Sequence, residues 1–163
     1  MGRAFELVLL LVLAVSGALS APDPALCQPT SGSQLYPCAV TRYSTPLKVS
    51  AAVGVVLMHR TGYQTYRGPF ALLEPGFGGG KVSLGYRFGR HQVIPLYNLG
   101  AALSVMQTWG NPLGDVEGGQ TYLGVEIIGA FTMLSVNGGV FWHLAGDDGD
   151  HDSVWTLGVG AGI

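Results

Sequence analysis

The sequence contains few charged residues. Asp, Glu, Lys and Arg together make up 11% of its 163 residues, against about a quarter in ordinary soluble domains. The net charge is −2, and Lys and Arg form no cluster along the chain, so the sequence offers no basic surface for nucleic acid. A normal water-facing surface could hardly be built from this composition, and nucleic acid is not an expected partner.

Long apolar runs are also missing from the body of the chain. No internal stretch reaches the roughly 18 apolar residues that a membrane helix needs. The one pronounced run, residues 7–15, follows Arg3 and precedes the small residues SGALSA, which is typical of a secretory signal peptide. We expect residues 1–20 to be cleaved off as this signal peptide, the alternative being an uncleaved anchor helix.

Cysteine is scarce, since only Cys27 and Cys38 occur. In an oxidising compartment such a pair most simply forms one disulfide. A metal site would need more ligands, so no metal and no cofactor is expected. Residues 21–46 are rich in proline and serine and are predicted to form an irregular N-terminal segment held by this disulfide, with residues 35–43 as its one strand-like piece.

Glycine is abundant, at 26 residues, and residues 47–163 alternate in polarity with a period of two. The clearest stretch is KVSLGYRFG, where one face carries Val82, Leu84, Tyr86 and Phe88 and the other carries Lys81, Ser83, Gly85 and Arg87. Similar segments begin near residues 97, 121, 133 and 153, and two less regular ones begin near residues 49 and 70. This pattern predicts an all-β domain over residues 47–163.

The face opposite the large apolar residues consists mostly of Gly, Ala, Ser and Asn. A soluble sheet would carry solvating groups there, whereas a narrow interior would need small ones. The pattern therefore favours a small, closed, antiparallel, up-and-down transmembrane β-barrel whose apolar face meets lipid. Aromatic residues near the predicted strand ends, such as Tyr97, Trp109, Trp142 and Trp155, suit the interfacial girdles of such barrels. Eight strands are expected, the eighth coming from residues 35–43 or from a different division of residues 70–88, although six or seven can also be counted.

The stretch EPGFGGGK, residues 74–81, resembles a phosphate-binding loop only superficially. Gly76 stands one residue too close to Gly80, and Lys81 is followed by Val82 rather than Ser or Thr. A strand follows where a helix would be required. The glycines are better interpreted as the turn of a β-hairpin.

Six polar residues are predicted to point into the interior: Glu74, Lys81, Arg87, Glu126, Asn137 and His143. Unpaired charges would be costly there, so Lys81 and Arg87 are expected to neutralise Glu74 and Glu126 in a structural network. The alternative is a polar pore, or Glu126 acting beside His143 as a catalytic base. The acidic segment 146–153 is expected to be a solvated loop, with calcium binding as its alternative.

The leader, the repeated alternating strands and the amphipathic C-terminal strand resemble those of the small outer-membrane β-barrel proteins of Gram-negative bacteria. The resemblance covers residues 47–163 and is one of pattern. Members of that family usually end on an aromatic residue, whereas this chain ends on Ile163, with Trp155 the nearest aromatic residue on the same face. No catalytic set of the barrel lipases, proteases or acyltransferases matches position by position, so the resemblance implies no enzymatic activity.

Together these observations predict a small integral outer-membrane β-barrel of structural, surface-interaction or adhesion type, with a lumen filled by side chains. Its expected partners are outer-membrane lipids and a surface or periplasmic protein, and it is expected to be a monomer located in the cell outer membrane. One alternative is a secreted or periplasmic lipocalin-like barrel that binds a small apolar ligand. Another is a lipid-modifying enzyme that uses Glu126 and His143.

Overall fold

The computed structural model describes residues 33–62, 64–91, 95–114, 116–146 and 152–162. Alternation between apolar and small or polar residues produces eight strands in this part of the chain. They are β1 (Ser33–Ser44), β2 (Lys48–Gly62), β3 (Thr65–Pro75), β4 (Gly79–His91), β5 (Pro95–Thr108), β6 (Thr121–Phe131), β7 (Leu134–Ala145) and β8 (Ser153–Gly162). The predicted signal peptide lies outside the described residues.

The eight strands form one closed, ring-like sheet. Each strand pairs antiparallel with the next along the chain, and β8 returns to pair with β1. The prediction of an all-β fold with eight antiparallel strands is confirmed, and six- or seven-strand counts are wrong. No helix occurs among the described residues, and hence none there has the length and hydrophobicity needed to cross a bilayer.

Strand β1 starts well before the predicted domain boundary at residue 47. It pairs with β2 from Ser33 to Ser44, but with β8 only from Val40 to Ser44. Pro37 therefore lies where β1 has a neighbour on one side only, a position at which strands tolerate proline. The strand-like piece predicted at residues 35–43 is thus a strand of the ring, and the residues of the N-terminal segment before Ser33 lie outside the described part.

The two faces of the ring differ sharply in chemistry. Outward positions carry large apolar side chains that are exposed, such as Leu84 (61%), Ile127 (61%) and Leu157 (69%). Inward positions carry glycine, small, polar and charged residues, together with a limited number of buried apolar side chains that fill the interior. Glycine permits this crowding at Gly124, where a Cβ would lie 2.5 Å from Cγ of Phe141.

Two clusters of buried apolar side chains fill the interior at different heights. One comprises Leu47, Met106, Tyr122, Phe141 and Val154. The other comprises Val56, Phe70, Leu72, Ala102 and Ile128. Polar side chains occupy the space between them, and they form the candidate site described below.

The two rims of the ring are built differently. At the rim where β1 begins and β8 ends, called the terminal rim, the connections 62–65, 91–95 and 131–134 are short. At the opposite rim, called the loop rim, the chain turns at 45–47 and 76–78 and makes longer connections at 109–120 and 146–152. The glycines of EPGFGGGK lie in and beside the turn between β3 and β4, so the predicted hairpin is confirmed.

The loop rim is closed by its own turns. Leu47, in the turn between β1 and β2, is 1% exposed and packs into the first apolar cluster. Backbone hydrogen bonds tie this turn to its neighbours, because Gly78 N donates to Leu47 O at 3.0 Å and Leu113 N donates to Pro46 O at 2.9 Å. The turns therefore fold over the interior instead of leaving it open.

Candidate functional site: a buried ion network inside the ring

Lys81 stands at the centre of a network of charged side chains inside the ring. Its Nζ lies 2.8 Å from Oε2 of Glu126 and 3.3 Å from Oε2 of Glu74. Glu74 is the register partner of Lys81 on the neighbouring strand β3, whereas Glu126 lies on β6, beyond β5. One ammonium group therefore joins two carboxylates from different parts of the wall.

Glu126 is held by hydroxyl groups as well as by Lys81. Its Oε1 accepts hydrogen bonds from Ser83 Oγ at 2.7 Å and from Ser104 Oγ at 2.9 Å. Asn137 Nδ2 donates to Oε2 over a longer distance, 3.4 Å. Both carboxylate oxygens are thus engaged, as a charge in a low-dielectric interior requires.

Glu74 is neutralised mainly by Arg42, which the sequence pattern did not single out. Arg42 Nη1 donates to Glu74 Oε2 at 2.8 Å, and Ser50 Oγ donates to Oε1 at 2.7 Å. Arg42 lies in the strand-like piece predicted at residues 35–43, but the inward and outward faces of that piece were not assigned. The available signal was its parity, since Arg42 and Ser44 alternate with the exposed Tyr43.

Arg87 points inward as predicted but does not neutralise either glutamate, so that part of the interpretation is wrong. Its guanidinium lies over the ring of Phe70, 4.4 Å from the centroid, and it forms no ion pair with another described residue. Lys81 and Arg87 are six positions apart on β4, which corresponds to roughly 20 Å along a strand. Phe70 and its cluster separate Arg87 from the network.

His143 also lies away from the network. Its Nε2 is 2.8 Å from Oε1 of Gln120, and its ring meets that of Tyr122 edge-on at 5.6 Å between centroids. The register pairs His143 with Tyr122 but Glu126 with Gly139. The structure therefore does not bring Glu126 and His143 together.

Some inward polar groups have no hydrogen-bond partner within the described protein. They are Nε of Arg42, Oγ of Ser44 and Ser135, Oδ1 of Asn137 and Oγ1 of Thr156. All lie on β7, β8 and β1, which are neighbours in the ring. The ion network is thus best satisfied towards β3–β6 and least satisfied on the wall that contains the β1–β8 seam.

The described residues contain no group of His, Cys, Asp and Glu that could hold a metal ion. Residues 147–151 of the acidic segment lie outside the described part, so its predicted role as a solvated loop stays a prediction. Cys38 forms no disulfide with another described residue. Cys27 lies outside the described residues, so the Cys27–Cys38 disulfide stays a prediction.

The outer wall presents an open depression of about 950 Å³ over β5 to β8. Apolar side chains line it, including Leu103, Ile127, Trp155 and Leu157, and all of these are exposed. Its lining also includes Glu126 and Thr156, whose side chains belong to the interior of the ring. Comparison of the chain with protein-family models, curated proteins and solved structures finds no match.

Proposed function

We propose that the protein is a small integral β-barrel of the bacterial outer membrane, with a structural, surface-interaction or adhesion role and without catalysis. The observation that carries this proposal is the reversed polarity of the ring. Large apolar side chains cover its outside, while Arg42, Glu74, Lys81 and Glu126 are buried and paired inside. Such a surface suits lipid, and the pairing of β1 with β8 over Val40–Ser44 closes the ring, so that the backbone groups there are hydrogen-bonded as lipid requires.

The strand lengths fit a bilayer. Strands of 10 to 15 residues form the ring, and a tilted transmembrane strand needs about 9–11. Aromatic side chains are exposed towards both rims, with Trp142 and Trp155 towards the loop rim and Tyr97 and Phe131 towards the terminal rim. Girdles of this kind mark the two membrane–water interfaces of barrels.

The connections support an orientation. Outer-membrane barrels have short periplasmic turns and longer extracellular loops. The terminal rim has the short turns and the loop rim has the longer connections. We infer that the terminal rim faces the periplasm and that the loop rim, with connections 109–120 and 146–152, faces outward, where it could meet a surface partner.

The filled interior favours a structural role over a general pore. Apolar side chains block the lumen near the loop rim, the ion network crosses its middle, and the cluster around Phe70 fills the space beyond. Eight strands enclose a space that side chains can fill. A channel for solutes would require these layers to separate, with loss of buried ion pairs.

The lipocalin-like alternative requires the apolar face to turn inward. A small apolar ligand in this interior would have to displace Lys81 from Glu126, which leaves buried charges unpaired. The enzymatic alternative requires a free carboxylate next to an imidazole, but the oxygens of Glu126 are occupied and His143 pairs with Gln120. The contacts of Lys81, Glu126 and His143 therefore favour the non-catalytic membrane barrel over both alternatives.

Fractionation of Gram-negative cells that express the full chain tests the proposal. The protein is expected to sediment with outer membranes and to remain there after a carbonate wash. An unboiled sample is expected to migrate differently from a boiled one on a denaturing gel, because a closed barrel resists detergent until it is heated. Recovery in the soluble periplasmic fraction would overturn the proposal.

A further inference from the structure

Exposed arginines gather at the terminal rim on β2, β3 and β4. Arg67 of β3 lies opposite His59 of β2 and opposite Phe88 of β4. Arg90 of β4 lies opposite Thr65 of β3. Arg67 and Arg90 are therefore diagonal neighbours on the outer face, about 7–8 Å apart at the backbone. Both side chains are exposed, as are His59 and Arg60 beside them.

No described carboxylate shares this rim. Glu74 and Glu126 are buried in the middle of the ring and paired there. Glu117 and Asp152 lie in or beside the connections of the loop rim. Within the described part of the chain, the terminal rim carries positive charge alone and the loop rim carries the exposed acids.

The two arginines stand at the edge of the apolar outer wall. Arg67 is paired in register with Phe88, and Arg90 with Tyr97, and both aromatic rings are exposed on the outer face. Aromatic residues at a strand end mark the level of the lipid headgroups. A guanidinium group at this level meets phosphate, with which it forms strong, often paired hydrogen bonds.

We propose that Arg67 and Arg90 at the terminal rim bind the phosphate headgroups of anionic phospholipid in the leaflet on that side. The inference rests on the proposed membrane location and adds a lipid preference to it. Charge complementarity selects this occupant, since the site has exposed cations, no described acid, and an apolar wall directly below for the acyl chains. One basic residue close to an anionic membrane surface contributes about fivefold to binding, and salt weakens the effect.

The test uses the full chain folded into vesicles of phosphatidylcholine that contain spin-labelled phosphatidylglycerol or spin-labelled phosphatidylcholine. The unboiled gel shift first shows that each variant is folded in the bilayer. Electron spin resonance then gives the relative association constant of the two labelled lipids at the protein surface. The variants are Arg67→Gln, Arg90→Gln and their combination, and Lys48→Gln removes one positive charge at the loop rim as the matched control.

The wild-type chain is expected to prefer phosphatidylglycerol, and each arginine substitution is expected to lower that preference by about fivefold at low salt, with smaller effects at high salt. Lys48→Gln should leave the preference near the wild-type value. An unchanged preference in the double variant, as expected if the rim binds an acidic protein instead, overturns the inference alone. A wild-type chain that folds into no bilayer overturns the proposed function as well.

Discussion

Lys81 and Glu126 form a buried ion pair between strands that are not neighbours in the sheet. The Nζ–Oε2 distance is 2.8 Å, and the two side chains are 2% and 0% exposed. The pair crosses from β4 to β6 past β5, just as the pair of Arg42 and Glu74 crosses from β1 to β3 past β2. These contacts join strands of the wall that backbone hydrogen bonds do not connect directly.

Substitution of Lys81 by Met is expected to destabilise the folded chain strongly. The variant leaves Glu126 without a cation in the interior, and removing one partner of a buried pair typically costs about 3–5 kcal/mol. The measurement is the free energy of unfolding in denaturant, followed by tryptophan fluorescence. The control is the double variant Lys81→Met/Glu126→Gln, which removes both charges and should recover most of the loss. If the double variant loses as much free energy of unfolding as Lys81→Met and Glu126→Gln lose when their separate losses are added, this account is contradicted.

Arg42 and Arg87 provide a matched comparison, since both are arginines with inward-pointing side chains. Arg42→Met removes the main partner of Glu74 and is expected to cost about 3–5 kcal/mol. Arg87→Met removes a contact with the face of Phe70, which is worth about 0.5–2 kcal/mol, and it retains much of the packing. The difference in the free energy of unfolding between the two variants checks the network. Equal losses would show that Arg87 carries an ion pair after all.

The alternation in the sequence predicted which way side chains point because successive residues of a strand face opposite sides. It placed Lys81 and Glu126 inside and Leu84 outside, as the structure does. This alternation does not say which residues on different strands lie at the same level along the axis of the ring. That depends on the register, and for this reason the pairing of Arg87 was predicted wrongly.

Arg42 was absent from the predicted network for a different reason. Proline and serine are typical of irregular segments, so residues 35–43 were predicted to be strand-like without an assignment of their inward and outward faces. The strand forms because β2 offers a complementary edge along its whole length, from Ser33 to Ser44. Such tertiary pairing can override the local composition.

The two glycines Gly124 and Gly138 are expected to respond differently to a methyl group. A Cβ at Gly124 would approach Phe141 to 2.5 Å in the crowded interior, whereas at Gly138 the nearest atom would be 3.5 Å away. We expect Gly124→Ala to cost about 1–3 kcal/mol, as overpacked cores do. Gly138→Ala should change the free energy of unfolding by about 0.5 kcal/mol or less. Similar effects at both positions would contradict the close packing of the interior around Phe141.

Leu84 offers the most direct test of what surrounds the outer wall. It lies near the middle of β4 and is 61% exposed. In a bilayer, an arginine at this depth costs about 2–4 kcal/mol, while the same change near the interface costs about 0–1 kcal/mol. In water, an exposed Leu→Arg substitution on a strand would be almost neutral.

We therefore expect Leu84→Arg to lower the free energy of unfolding of the vesicle-bound chain by about 2–4 kcal/mol. Met133→Arg, in the turn between β6 and β7 and also 61% exposed, is the matched control at the terminal rim and should cost about 0–1 kcal/mol. The two variants add the same side chain at positions of equal exposure, so the difference between them reports depth in the bilayer. Equal small effects at both positions would mean that water, not lipid, covers the outer wall.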